Sequence, residues 1–469
     1  MEPDALWAEQ EFGEADLGDV RRDARLVQLA TVLGAQPNAS LPDATDDPAM
    51  LKAAYRFFSN DHVQAEAILA SHVQSTIRRM QAVELVLAPQ DTTYLDWTDH
   101  PATQGLGPLA APTHQGLIAH TTLALTSERV PLGLLQQQVW AREQDLRRND
   151  DHKQRPIADK ESQKWLTSLE AVIAARAECP DTQFVSIGDR EADVYDLFLL
   201  ERPVGVELLV RAAQDRKADH PEKYLWAAMA TARLAATITI QIGKRAKQPA
   251  RKATLNVRWQ QVTLRPPKHR DKEKLPNVTV WAIWAVETLP PPDAEPVEWL
   301  LLATMPISTT EQALEVLAWY AARWGIEVWH KVLKSGCRIE AKQLETADRL
   351  IRCLTLYSVI AWRILYATML ARAAPEVPCT VLLDDDEWKG LYCRIQRVAV
   401  APDVPPTLRQ AVRWIAQLGG FQGRKRDGEP GVTVLWKGFQ KLVDIAAMYR
   451  IMRPAPPSPT RRIQNKDSG

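Results

Sequence analysis

Phe184-Val185-Ser186-Ile187-Gly188-Asp189-Arg190-Glu191-Ala192-Asp193 reads as an apolar strand, a turn carrying an acid, and the start of a helix. Upstream, Lys160 to Ala177 has helical periodicity; downstream, Glu191 to Leu200 reads as helix and Val206 to Arg211 as strand. A second apolar run, Glu84-Leu85-Val86-Leu87-Ala88, ends at Gln90-Asp91-Thr92-Thr93, where a buried strand is expected to emerge into a loop. Leu117 to Leu125 and Leu132 to Val139 read as two further strands forming a meander with it. Strands followed by alternating helices and strands predict a mixed α/β sheet covered by helices.

Further out, residues up to about 75 read as helical, with apolar spacing from Asp19 to Leu33 and from Met50 to Phe58. From Ala236 to about Met305 the pattern turns strand-rich, in Thr237–Ile242, Thr254–Trp259, Val278–Trp284 and Trp299–Leu302, and reads as an insertion. Thr310 to about Ser335 is predicted to be one long helix, and helical character returns from Ala347 to Ala371. Pro375, Pro378 and Asp384-Asp385-Asp386 are expected to form a linker to a C-terminal helical region. The tail from Pro454 has the composition of a disordered segment.

A chain of 469 residues exceeds one compact core, and about three domains is the prior. No apolar run is expected to reach the ~18–20 residues of a membrane span, and the acidic start Met-Glu-Pro-Asp lacks a signal peptide's pattern. Five cysteines with no Cys-x-x-Cys pair argue against a disulfide framework or zinc site and for a reducing cytoplasm. The formal net charge is zero, yet residues 211–274 carry sixteen Lys or Arg against five Asp or Glu. That local excess suggests either a face for a polyanion or a solvated loop.

The two acids are weak signals alone, and Asp189 has a helix N-cap as its plain reading. A third element adds to them. Tyr320, Arg323, Glu327, Lys331 and Lys334 are spaced 3, 4, 4 and 3 residues apart, which puts all five on one face of a regular helix. Leu317, Ala318, Ala321, Trp324 and Val328 would be buried on the other faces. A solvated charged face explains the Glu–Lys spacing but not the shared tyrosine and arginine. Hard carboxylate oxygens suit Mg²⁺ or Mn²⁺, and a pair of such ions serves in-line phosphoryl transfer. Cationic and hydroxyl groups on the same helix would grip phosphates.

The blocks Gln90-Asp91-Thr92-Thr93, Gly188-Asp189-Arg190-Glu191-Ala192-Asp193 and Tyr320-x-x-Arg323-Trp324-x-Ile326-Glu327-x-x-His330-Lys331-x-x-Lys334 together resemble those of the insertion-sequence-four family. These are bacterial cut-and-paste transposases with a DDE acid triad and a YREK signature. The likeness extends to Leu17-Gly18-Asp19-x-Arg21-Arg22-x-Ala24-Arg25-Leu26, Ala54-Tyr55-Arg56-Phe57, Lys160-Glu161-Ser162-x-Lys164-Trp165, Trp299-Leu300-Leu301-Leu302, Leu418-Gly419-Gly420-Phe421 and Leu435-Trp436-x-Gly438.

The resemblance implies an α/β, ribonuclease H-like mixed-sheet catalytic core over residues 76–370, with a β-rich insertion over about 236–306. A helical DNA-binding domain over 1–75 and a helical dimerisation domain over 371–453 would flank it. Asp91, Asp189 and Glu327 would hold two Mg²⁺ ions, replaceable by Mn²⁺. Tyr320, Arg323, Lys331 and Lys334 would contact phosphates at the transposon end, and Trp299 would stack on a flipped base to stabilise a DNA hairpin. Arg211 and the run Lys244–Lys252 would follow the DNA backbone, and Arg21, Arg22, Arg25, Tyr55 and Arg56 would recognise the end. The implied partners are double-stranded DNA, both transposon ends and target, and a second copy in a synaptic homodimer, with no membrane. The implied location is the bacterial cytoplasm, on the nucleoid when DNA is bound. Gly325 departs from the family pattern, and a mid-helix glycine costs ~1 kcal/mol relative to alanine, so a loosened helix is expected. The rival readings are a non-catalytic DNA-binding regulator and a metal-dependent nuclease without strand transfer.

Overall fold

Residues Leu85–Asp96 form one unbroken strand, β1, so the chain does not leave the sheet at Gln90. The expected loop is absent because β1 continues against the antiparallel β3 (Gln115–Leu125), with Asp91 paired to Thr121 and Asp96 to Gly116. The short β2 (Gly107–Pro108) and the longer β4 (Pro131–Trp140) both pair with β3. On the other side of β1 lie β5 (Gln183–Gly188) and β6 (Val206–Arg211), each parallel to its neighbour. The computed structural model describes residues 6–45, 47–111, 113–143, 160–242, 250–292, 294–424 and 427–452. The tail from Pro454 lies outside them, as does residues 243–249 of the basic run.

The order β4-β3-β1-β5-β6, an antiparallel meander followed by two parallel strands, is a ribonuclease H-like core. The strand-rich segment is continuous with it. β7 (Leu234–Ile242), β8 (Arg251–Leu264) and β9 (Val278–Glu287) form an antiparallel run, and β10 (Glu298–Ala303) joins that run to β6. The result is a single ten-stranded sheet.

Ten of the eleven residues of β3 are buried, the mark of a strand covered on both faces. On one face packs the helix Gln163–Glu178, whose Trp165, Leu169 and Val172 enter the core. On the other lies the helix Ala347–Ala373. Successive residues of β4 reach the two layers: Gln137 donates to Ser358 Oγ at 2.9 Å, and Gln138 to Ser168 Oγ at 3.2 Å. Ala347–Ala373 is long and apolar enough to cross a bilayer by length and composition, contrary to the expectation that no run is. Its most apolar window is 78% buried inside the protein, as a core helix requires.

Helical predictions needed three further corrections. Glu191 to Leu200 is a short 3-10 turn, Arg190–Ala192, followed by the helix Tyr195–Leu199. The buried Asp193 ends the turn because its carboxylate accepts from the backbone of Ala213 and Gln214 and from Arg216, tying this loop to the one after β6. The predicted long helix is three pieces, Thr310–Ala322, Trp324–Lys331 and a π-helical turn at Val332–Gly336. Asp384 is no linker residue: it caps the helix Asp385–Gln396, with Glu387 closing a capping box.

The described residues fall into two compact units, one from Trp7 to Met369 and one beginning at Leu370. The N-terminal part of the first includes the helices Val20–Ala35, Pro48–Phe58 and Ala65–Met80, the first two of these capped by Asp19 and Asp47. In the second, the helices Asp385–Gln396, Leu408–Leu418 and Val432–Met452 enclose Leu391, Ile415, Leu435 and Leu442. Two glycines allow the last two helices to touch backbone to backbone. A Cβ on Gly438 would stand 1.9 Å from the Ile415 carbonyl oxygen, and one on Gly419 1.8 Å from that of Val434.

Candidate active site

β1 and β5 pair as far as Pro89 and Ile187. Two residues further along each strand stand Asp91 and Asp189, so the parallel register alone brings these acids side by side. Asp189 leaves the sheet, and its carboxylate accepts the Glu191 N–H at 2.8 Å, capping the turn. The capping role and proximity to Asp91 are therefore compatible.

Glu327 faces them from the helix Trp324–Lys331. Arg323 sits among the acids: one guanidinium nitrogen bonds the Glu327 carboxylate, and the other lies 3.7 Å from Asp91 Oδ2. Asp91 is pushed up to about 7, first by burial and further by the nearby charges of Asp189 and Glu327, against the pull of Arg323. The β1–β5 register and the Arg323 guanidinium between Asp91 and Glu327 bring the three acids into one site. Among the described residues no three acid, imidazole or thiol groups form a closed metal shell. The donor set nonetheless fits a divalent cation: it consists of hard oxygens, and a cation there relieves the repulsion that Asp91 registers.

The predicted helix face is only partly what spacing implied. Tyr320 is buried rather than solvated, with its ring edge-on to Trp299 at 5.6 Å. Burial raises its hydroxyl pKa, opposed by Arg323 and Arg211. Trp324, expected inside, is 59% exposed, and Ala318 is exposed as well, while Ile326, Trp329, Val332 and Leu333 fill the core. The cause is that the polar face points at β1, so the apolar contacts lie beside it. Lys331 is exposed. The π-helical turn shifts Lys334 out of α-helical phase; its ammonium reaches the Tyr94 carbonyl on β1 and lies 3.6 Å from Glu340. Gly325 lets the helix approach β3, since a Cβ there would meet Leu125 Cδ1 at 3.1 Å.

Arg211, at the end of β6, donates to the Glu298 carbonyl at 2.8 Å, beside Trp299. The basic excess of residues 211–274 is less open than its count suggests. Arg216, Arg251, Arg265 and Arg270 form ion pairs with Asp193, Glu287, Asp219 and Asp196. The N-terminal candidates make local contacts or are exposed. Arg21 is highly exposed and pairs with Asp19, Arg22 donates to the Leu17 carbonyl, and Arg25 approaches Met50 Sδ at 3.6 Å. Tyr55 and Arg56 are exposed on the helix Pro48–Phe58.

Two histidines with no assigned role in the sequence flank the site, one beside the acids and one on the opposite face of β1. His330 is buried with Nδ1 3.7 Å from Asp91 Oδ2, and burial together with Lys334 and Arg323 lowers it to about 3, keeping it neutral. His120 is buried beneath β1, with Nδ1 2.9 Å from Thr92 Oγ1 and its ring 4.6 Å from that of Trp165. His330 could have been singled out from its place one turn after Glu327, three residues on. His120 carries no local signal, because only the β1–β3 register brings it to Thr92.

Three domain models match successive stretches of the chain. A transposase DNA-binding domain matches residues 4–63, a transposase DDE domain residues 135–362, and a Tn5 transposase dimerisation domain residues 359–455. The DDE match spans Asp189 and Glu327 and begins after Asp91. Among solved structures, a chain of the piggyBac transposase synaptic complex with hairpin DNA is similar at a TM-score of 0.34 and 10% identity, over 97% of this chain and 72% of that one. DDE transposases generally use divalent metal ions, which suits the carboxylate site. With a DDE domain between a DNA-binding and a dimerisation domain of transposase type, the chain is a DDE-type DNA transposase resembling that of Tn5.

Proposed function

We propose that this transposase works by cut-and-paste: it nicks each transposon end, forms and opens a DNA hairpin, and joins the 3′ ends to target DNA. The observation that carries this reading is the convergence of Asp91, Asp189 and Glu327 around Arg323, with Tyr320, Lys331 and Lys334 on the successive helical pieces from Thr310 to Gly336. Asp91, Asp189 and Glu327 would hold two Mg²⁺ ions, or Mn²⁺, which supply charge stabilisation for in-line displacement at phosphorus.

The chain's own groups account for the rest. Arg323, shared between Asp91 and Glu327, would be free to serve the scissile phosphate once divalent cations were held by those acids. Lys331 projects into solvent where a DNA backbone would pass. Lys334, anchored to β1, adds fixed positive charge. Trp299 and Tyr320 form an edge-on aromatic pair beside the acids, suited to stacking an unpaired base in a hairpin. Arg211 stands at the same end of the sheet.

Residues 1–75 would recognise the transposon end through Arg21, Arg22, Arg25, Tyr55 and Arg56, residues 76–370 would cut, and residues 371–453 would pair two copies at the synapse. Exposed Met448, Ile451 and Met452 on the last helix support the pairing role. The site of action would be the nucleoid in bacterial cytoplasm.

The test is incubation of purified protein and Mg²⁺ with a duplex carrying its own element's end, resolved on a denaturing gel. A hairpin product that vanishes in Glu327→Ala supports the reading. Binding with no cleavage in Mg²⁺ or Mn²⁺ makes the protein a regulator, and cleavage with no joining to target makes it a nuclease.

A further inference from the structure

Two buried cations in the catalytic unit have no role in the chemistry just described, and both hold backbone oxygens of the N-terminal helices. Lys342 is 2% exposed. Its ammonium donates to the carbonyls of Pro37, at 3.1 Å, and Ala39, and lies 4.5 Å from the centre of the Tyr357 ring. Arg352, 8% exposed, donates to the carbonyls of Val63 at 2.7 Å and Phe58 at 3.0 Å, and its remaining nitrogen reaches Asp61 at 3.2 Å.

The acceptors are placed with purpose. Pro37 and Ala39 follow the C-terminus of the helix Val20–Ala35, and Phe58 is the last residue of Pro48–Phe58. These are the ends where orphan carbonyls and the helix dipole favour a cation. A buried ammonium or guanidinium needs such oxygens, because burying a charge without partners is strongly unfavourable. Slippage of the N-terminal helices would strip both cations of their acceptors while leaving them covered.

The same cations are tied to the acids. Lys342 and Arg352 follow Glu327 by fifteen and twenty-five residues on one continuous stretch. The Lys342 carbonyl accepts from Trp97 Nε1 at 3.2 Å, immediately after β1, the strand of Asp91. Between Glu327 and Lys342, Lys334 and Glu340 both contact β1: Glu340 accepts the Asp96 N–H at 3.0 Å. At the other end of the linkage, Arg56 lies two residues before Phe58.

We propose that Lys342 and Arg352 are positioning residues that fix the offset between the end-recognition helices and the acids, so that the place where an end is bound dictates which phosphodiester is cut. This rests on the assignment of end recognition to the N-terminal helices. The full-length protein and its Lys342→Met, Arg352→Met and Arg352→Lys variants are compared on one end duplex. Three quantities are read: Kd, the single-turnover cleavage rate at saturating protein, and the cut position at nucleotide resolution.

In both Met variants Kd is expected to stay within about threefold of wild type, while the rate on fully bound DNA falls about 10- to 100-fold, the scale of an ångström-level misplacement, or the cuts spread to neighbouring positions. Arg352→Lys, which keeps the charge, is expected to recover part of the rate. A rate within about twofold of wild type with unchanged cut sites, or a loss confined to Kd, overturns the proposal. If Lys342→Met does not fold, Arg352→Met decides alone on the same criteria, since its Asp61 partner lies at the surface. Wild-type protein that binds but cuts nowhere would defeat the cut-and-paste reading; wild type that cuts, with variants that cut equally well, defeats only this inference.

Discussion

The two faces of β1 around Asp91 differ sharply although they belong to consecutive residues. Gln90 and Thr92 point to one side, where Gln90 donates to Ser186 Oγ at 2.7 Å and His120 lies between Gln90 and Thr92. Gln90, Thr92, Ser186 and His120 are all neutral there: burial first, and then the charge of the neighbouring Lys164, keep His120 uncharged. On the other side Asp91 meets two further acids, with a single guanidinium shared among them. One face is a hydrogen-bonded layer that holds the strand, and the other concentrates charge that the protein alone does not balance. A buried site left short of counter-charge is poised to take up cations and phosphates, and the satisfied layer beneath keeps it in place.

The largest break in that comparison should come from Asp91→Asn. Single-turnover cleavage is expected to fall by about 10³-fold or more, with end binding preserved in a gel-shift assay. The same substitution should raise the melting temperature of metal-free protein, because it removes a buried charge next to like charges. A lowered melting temperature would contradict the electrostatic account.

The charged face also predicts a pH dependence. Asp91 has a folded pKa near 7 against an ordinary value of 3.8, so between those values the folded state holds a proton that the unfolded state has lost. Asp91 therefore contributes a fall in stability as pH rises from about 4 to about 7, by at most about 4 kcal/mol, while His330, held near 3, contributes a rise up to its ordinary value of 6.5. Denaturant midpoints at pH 5 and pH 8 check this by difference: Asp91→Asn should gain stability over wild type at pH 8 relative to pH 5, and an equal change at both would contradict the Asp91 contribution.

Disturbing the neutral face should do the reverse. Gln90→Leu leaves buried Ser186 and His120 short of a partner and should destabilise by about 1–3 kcal/mol, the usual penalty for such groups. The change should be similar at pH 5 and pH 8 by chemical denaturation, since no charged group is involved. A smaller effect is expected of Arg323→Ala: the melting temperature should drop by a few degrees in chelator and recover in excess Mg²⁺, which replaces the lost counter-charge. An equal drop in both conditions would make Arg323 a packing residue only.

The smallest change concerns Gly325. Alanine there improves helix propensity by about 1 kcal/mol but crowds Leu125 at 3.1 Å, a methyl that can yield. The net change should stay within about 1 kcal/mol by denaturation, with cleavage little altered. Gly438→Ala gives the contrast within the second unit: its Cβ would meet backbone, 1.9 Å from the Ile415 carbonyl oxygen, and that helix pair cannot adjust.

Much of this organisation could be read along the chain because it is local. Apolar runs of strand length, acids at Asp91 and Asp189, and the spacing of Tyr320 to Lys334 are all visible within a few residues of each other. What misled was equally local. Gln-Asp-Thr-Thr is polar and so resembles a strand exit, yet the strand continues because its backbone pairs with β3 as far as Asp96. Trp324 looked like core because helical spacing says which residues share a face but not which face is turned inward. The Asp384-Asp385-Asp386 run resembled a linker, although its first residue has the chemistry of an N-cap followed three residues later by Glu387.

The sequence by itself determined the residue types and their order: two strand-borne acids, then a helix carrying an acid, an arginine, a tyrosine and two lysines, between helical flanks. Only the tertiary structure decided that Asp91 and Asp189 stand side by side, that Arg323 is shared between Asp91 and Glu327, that Tyr320 turns inward against Trp299, and that Lys342 and Arg352 hold the N-terminal helices. The reason is physical. Periodicity reports the local geometry of a helix or strand, whereas strand register and the partners of buried charges depend on groups tens to hundreds of residues apart. Those pairings are selected by burial and charge balance in the folded whole.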